Sequence, residues 1–287
     1  MTYYYIHTGH RIGLDRFRRA SAVISELQDA DITLLTSDYR IASEAKNYGF
    51  KRGLGVDVVQ NIAHIAVRGD QLIYDADEHS EQTLDDMMHF FSKVVRFSDH
   101  SDEVRHKKEF LVSPYLKGDN ICNAVAIDKK FFGDFNKTID VTLFYGDDDY
   151  NKDVISKKDE LKALNMELLL GFYYFVFYDD EVGDSFKKIH ENEEYEDVIK
   201  HSNILVTSSH QAVLDSLASG GRPVFIQRDD HSYEFQELFK TLNVPMVDEL
   251  SAKKIAQAIT KARIDVYQEV GENSNKIAEF IKQNLNL

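Results

Sequence analysis

A chain of 287 residues is too long for one ordinary core and too short for three, so two domains of roughly 130 to 150 residues are expected. Hydrophobic residues at 43% and aromatics at 11% exclude a disordered chain, and one cysteine, Cys122, excludes an intrachain disulfide and a Cys-rich zinc cage, leaving a cytoplasmic protein as the expectation. The 34 Lys+Arg against 49 Asp+Glu give a formal charge of -15, which repels a phosphate backbone and argues against nucleic acid as a partner.

The N-terminal Tyr3 to His7 reads as a first strand, since no basic region precedes an apolar run of the kind a signal peptide needs. Directly after it, Thr8 to Ala20 places Arg11, Arg16, Arg18 and Arg19 at what becomes the positive end of a helix over Phe17 to Leu27. Cations there oppose the helix dipole, which calls for an anionic ligand, or for Asp15 and surface carboxylates to pair them. His10, between Gly9 and Arg11, is either a general base or a solvated loop histidine. A strand at Ile32 to Thr36 and a helix at Ile41 to Tyr48 follow, and Ile73 to His79, after a short apolar run, is then expected to present its acids Asp75, Asp77 and Glu78 to the cleft. His64, His79, His89 and His106 lack the spacing of zinc ligands, so neither metal nor cofactor is expected.

The polar and aromatic stretch Lys129 to Asn136 marks a boundary, giving domains 1–136 and 137–287. The second begins with a strand at Val141 to Tyr145 that runs into Gly146-Asp147-Asp148-Asp149, read as a turn capping the next helix in preference to a divalent cation site. The apolar stretch Met166 to Phe177 is too short to cross a membrane, and Leu168 to Val176 within it is the next segment of the strand–helix cycle. Glu191 to Asp197 reads as acidic first turns of a helix. Then a strand, Ile204 to Thr207, ends in Ser208 and Ser209, and His210 and Gln211 open a helix carrying Asp215 that Gly220-Gly221 closes before a strand at Val224 to Gln227. A helix N-terminus with small hydroxyls suits a diphosphate, and Asp215 is placed to accept from a ribose diol; an ordinary strand–helix–strand unit is the plain alternative. Ser251 is expected to cap one helix, and a second runs from about Asn273 to Leu285. Strand–helix alternation makes the fold class α/β, with two Rossmann-like domains facing across a cleft.

These residues together resemble the UDP-sugar hydrolases of pseudaminic acid biosynthesis, which have the glycosyltransferase-B architecture. The stretch Gly13-Leu14-Asp15-Arg16-Phe17-Arg18-Arg19 is similar to that family's Gly-x-Gly-His-x-x-Arg loop, with Arg19 matching its arginine and Arg16 standing where its catalytic histidine would be. Tyr145-Gly146-Asp147-Asp148-Asp149 looks like its Met-Gly-Gly-x-Asp turn, with Asp147 in place of the second glycine, and Ser208, Ser209 and Asp215 match its serine-rich strand end and acidic helix. The resemblance implies a UDP-sugar hydrolase of bacterial surface-glycan biosynthesis, with Gly146, Ser208, Ser209, His210, Gln211 and Asp215 holding UDP. It also implies that His10, or Asp15 in its place, activates water while Arg16 and Arg19 balance the leaving diphosphate. A glycosyltransferase, or a binding protein that has lost the base, are the other readings, because a guanidinium cannot accept a proton near neutral pH.

Overall fold

The Thr2–Ile6 run Thr-Tyr-Tyr-Tyr-Ile has no outward polar face, so it forms a strand buried on both sides. This computed structural model describes residues 1–174, 178–285 and 287. In chain order the elements are β1 (Thr2–Ile6), α1 (Asp15–Ser25), β2 (Ile32–Thr36), α2 (Tyr39–Glu44), β3 (Arg52–Gly55), β4 (Gln71–Asp75), α3 (Glu81–Phe90), β5 (Lys93–Phe97), β6 (Glu109–Ser113) and β7 (Ile121–Asn123). There follow β8 (Ile139–Phe144), α4 (Asp153–Leu161), β9 (Glu167–Leu169), α5 (Tyr178–Val182), β10 (Ile189–His190), α6 (Tyr195–His201), β11 (Ser202–Thr207), α7 (His210–Ala218), β12 (Arg222–Ile226), α8 (Gln236–Thr241), β13 (Met246–Val247), α9 (Ala252–Ile259) and α10 (Ser274–Leu285).

Among the described residues the strands form two parallel sheets, ordered β3-β2-β1-β4-β5-β6-β7 and β10-β9-β8-β11-β12-β13. Each sheet reverses its strand order beside its first strand, between β1 and β4 and between β8 and β11, where an open α/β sheet leaves a crevice beyond the carboxyl ends. In the first sheet Tyr3, Tyr5, Leu35, Leu72, Tyr74 and Val94 share one core. Tyr4 packs instead against Phe50 and Phe97, with ring centroids 6.0 Å away in both cases. The second core joins Leu143, Leu168, Val206, Val224 and Ile226 to Ile255 and Ala258 of α9.

The chain divides into one unit of Met1–Gly9, Arg16–Asp128 and Glu272–Leu287, and another of His10–Asp15 and Lys129–Gly271. These units are drawn differently from the expected split at 136/137, beginning with the stretch His10–Asp15, which goes with the second unit. The boundary falls at Asp128, and α10 belongs to the first unit: Ile277, Ile281 and Leu285 are fully buried, and the Ser274 hydroxyl both donates to and accepts from the backbone of Ile127. Ser251 precedes α9 as expected, but its hydroxyl is not the cap; Glu160 Oε1 accepts from Ala252 N at 2.8 Å instead. Of the segment Leu168 to Val176, the start lies in the short strand Glu167–Leu169, and Val176 lies outside the described residues. No helix among the described residues is long and apolar enough to cross a membrane.

Candidate functional site

In the second unit, β8 and β11 end side by side and deliver Tyr145 to Asp149 and Ser208 to Gln211 to one place. Gly146 turns the chain with φ of +97°, and a Cβ there would sit 3.2 Å from Ser208 Oγ. Ser208 Oγ donates to Tyr145 O at 2.5 Å and so ties the two strand ends together. Ser209 is the N-cap of α7, its Oγ accepting from Ala212 N at 3.0 Å.

The N-terminus of α7 already holds an anion, and that anion is Asp15. Ser209 Oγ donates to Asp15 Oδ1 at 2.5 Å, while His210 N and Gln211 N converge on Oδ2 at 2.7 and 3.4 Å. These are the donors that a helix end offers to a phosphate. The segment bearing Asp15 is fixed through its backbone: Leu14 N donates to Asp147 Oδ2 at 2.8 Å and Arg11 N to Asp148 Oδ2 at 3.0 Å. Asp149 accepts from Asp153 N, Val154 N and the Tyr178 hydroxyl, so it is Asp149 that meets the first N–H groups of α4, while Asp147 and Asp148 accept from the backbone of Leu14 and Arg11. Burial pushes the Asp149 carboxyl up, and those hydrogen bonds pull it back. Arg228, beside the same turn, donates to Asp148 O at 2.8 Å and pairs with Asp230 at 2.9 Å.

Asp215 is 1% exposed and accepts from Tyr195 Oη and Gln211 Nε2, each at 2.9 Å. The side chain singled out for a ribose diol therefore works inside the core, joining α7 to α6. His10 is exposed and lies against the Tyr173 ring at 4.7 Å between centroids. Arg11 lies over the Tyr150 ring at 3.9 Å. His231, in the loop after β12, has its Nε2 buried without a hydrogen-bond partner, and burial, with Arg228 nearby, brings its imidazole down to about 4.

In the first unit the arginines that called for an anion meet carboxylates of their own chain. Arg19 donates to Asp75 through Nε and Nη2 at 3.0 and 2.5 Å, and to Asp99 through Nη1 at 2.6 and 2.9 Å. Arg16 bonds Asp77 and lies 3.6 Å from Asp75. Of the two readings of these arginines, an external anion or carboxylates of the chain, the contacts of Arg19 follow the second, with Asp75 and Asp99, both buried, facing it.

Sequence reasoning passed over His7, one residue beyond β1. Its Nε2 lies 3.2 Å from Glu78 Oε2, and the Tyr5 hydroxyl bonds the other Glu78 oxygen. His7 follows directly on β1 and Glu78 stands a short way beyond Asp75, the end of β4, and these are the strands beside the order reversal, which is the sequence signal that marks them.

No family model and no curated protein matches the sequence. Solved structures do. The UDP-GlcNAc 2-epimerase from Neisseria meningitidis, bound to UDP-GlcNAc, is similar with a TM-score of 0.65 at 10% identity, covering 99% of this chain and 100% of that one. MurG from Acinetobacter baumannii gives 0.60 at 9% identity over 98% and 99%. CalG4, the calicheamicin glycosyltransferase, gives 0.59 at 10% identity over 99% and 93%. At such identities the likeness is one of fold, and the fold is the glycosyltransferase-B one of two Rossmann-like α/β units.

Proposed function

We propose that the protein binds a UDP-sugar, with the diphosphate at the N-terminus of α7, and acts as a hydrolase of the kind its sequence resembles, in surface-glycan biosynthesis. The observation that carries this reading is the carboxylate of Asp15 held by Ser209, His210 and Gln211, because it marks these donors as an anion site and stands where one phosphate group would be. Gly146 supports it, leaving room beside Ser208 that a side chain would close. In this reading Asp15 is a competitor, not the base, since its oxygens are already committed to α7. The solved relatives that carry UDP-GlcNAc support the ligand class.

A second reading, a nucleotide-sugar-binding accessory protein, is favoured by the burial of Asp215, which takes away the ribose contact expected of it. Calorimetry with UDP tests the binding that both readings share. The wild type is expected to bind weakly, and Asp15→Ala, which vacates the three donors, to bind about tenfold more tightly or better, a gain of ~1.4 kcal/mol. If neither protein takes up UDP, the nucleotide reading fails. Release of UDP into water without an acceptor then separates the hydrolase from a glycosyltransferase and from the accessory protein.

A further inference from the structure

We propose that the first unit carries a further binding site, independent of the nucleotide reading, for a small organic anion: a carboxylate or phosphate borne on an apolar chain or ring. The site is a pocket of about 560 Å³ whose lining residues all belong to that unit. Small-molecule sites commonly have volumes of roughly 300 to 1,000 Å³. The pocket opens at the amino ends of β1, β2 and β3. Open α/β sheets keep their usual ligand crevice beyond the carboxyl ends, so this is a different place from the one beside the β1–β4 reversal.

The floor is a row of side chains across three strands. Tyr3 is in register with Thr33, and Thr33 with Arg52, and neighbours paired in this way project from the same face of the sheet. Tyr3 and Thr33 are each 3% exposed. The Thr33 hydroxyl is buried and has no hydrogen-bond partner among the described residues. Buried hydroxyls are nearly always partnered, because leaving one unpaired costs its lost hydration. One that lines a pocket therefore points to a ligand atom that meets it.

The walls are apolar and held in place. Ile65 stands on one side and Leu54 forms a lip that is 44% exposed. On the other side α2 and the turn Ala45–Tyr48 are drawn against β3 at Gly53, where a Cβ would collide with Ala42 O and Ala45 Cβ. Ala42 and Ala45 are too short to fill the space they border.

Cations surround the opening. Lys46 and Lys51 are exposed and have no carboxylate partner among the described residues, while Arg52 meets Asp31 at 2.7 Å in an exposed pair that water screens. In a chain with 49 Asp+Glu against 34 Lys+Arg, three cations about one opening reverse the local field and attract an anion. A bare phosphate would leave the walls wet, and a neutral hydrocarbon would leave the ammonium groups unanswered. The reach of the pocket down to Tyr3 and Thr33 fits a single molecule from solution, since a lipid surface would stop at the lip.

The test uses the full chain and the fluorescence of anilinonaphthalene sulfonate as probe. Octanoate is expected to displace it, octanol to do so about tenfold less well, and UDP to leave it in place. In the double variant Lys46→Gln, Lys51→Gln octanoate should weaken about tenfold and lose its dependence on salt, with octanol unchanged. Thr33→Val, which keeps the shape and removes the hydroxyl, should weaken octanoate about fivefold; should it fail to fold, the double variant, altered only at exposed side chains, decides. Octanoate that binds no better than octanol, or equally to wild type and the double variant, overturns the proposal. So does displacement of the probe by UDP, which would put the probe in the nucleotide site. Flotation of the protein with phosphatidylglycerol vesicles, without displacement by octanoate, overturns it in favour of a membrane surface. Failure of the protein to bind UDP bears on the nucleotide reading alone.

Discussion

Asp75 is fully buried at the end of β4, and Arg19, which reaches it with two N–H groups, is the main support of its charge, with Arg16 3.6 Å away. Replacing Arg19 with Met therefore strands a buried carboxylate, and a loss of about 3 to 5 kcal/mol in urea unfolding is expected. Glu103 gives the first unit an acid limit. Burial would raise its carboxyl, but hydrogen bonds from Arg96 and Ser98 prevail and bring it down to about 2 from 4.5. A carboxyl whose folded value is depressed contributes stability that is complete above the unfolded value and disappears as pH falls through the folded one. Wild type should thus lose melting temperature between pH 4.5 and pH 2 more steeply than Glu103→Gln. His231 acts in a higher window: with a folded value of about 4 against 6.5 unfolded, it contributes stability that fades as pH falls from 6.5 to 4. Differential scanning calorimetry of His231→Gln should show a shallower slope there. At this scale the sequence was legible in kind but not in partner. The arginines of α1 stood out by charge, yet the carboxylates that neutralise them lie 56 to 80 residues away and only the sheet brings them near.

Elements were more legible than residues. The alternation of apolar runs and helical periods located β1, β2, β8, β11 and β12 to within a few residues, because parallel strands buried on both faces need unbroken apolar stretches. The shortness of β9 has a steric cause. Its apolar run continues past Leu169, but at Gly171 the backbone passes so near the β8 turn that a Cβ would lie 2.4 Å from Gly146 O and 2.5 Å from Asp147 Cα. Pairing ends where the two backbones meet. Gly171→Ala is accordingly expected to destabilise by about 1 to 3 kcal/mol, measured by chemical unfolding, because it displaces the turn beside Ser208. The start of α7 was also legible, since Ser208-Ser209 before a helical period announces a cap. Its occupant was not. Asp15 is 194 residues from Ser209, and no local pattern joins a carboxylate to a helix end so distant in sequence.

For the molecule as a whole, two sheets with matching reversals of strand order follow from the repeated strand–helix cycle, and the solved relatives share that plan over nearly the entire chain. The partition between units was harder to read, because it is not a single cut. The last helix, amphipathic and of ordinary length, carries no mark in its sequence of which sheet it covers; Ser274 on Ile127 and the apolar face of α10 decide it.

That return of α10 sets an order of events during translation. The ribosome releases every strand of the first sheet before Asp128, then makes the 129–271 stretch, and only afterwards the helix whose Ile277, Ile281 and Leu285 close the first core. Throughout that interval the nascent first unit has its strands but lacks its cover, and exposes apolar surface that a chaperone can hold. A chain truncated after Gly271 should reproduce this waiting state. Hydrogen exchange should show its first sheet losing protection while β8, β11 and β12 keep theirs, and the peptide 272–287 supplied in trans should restore it.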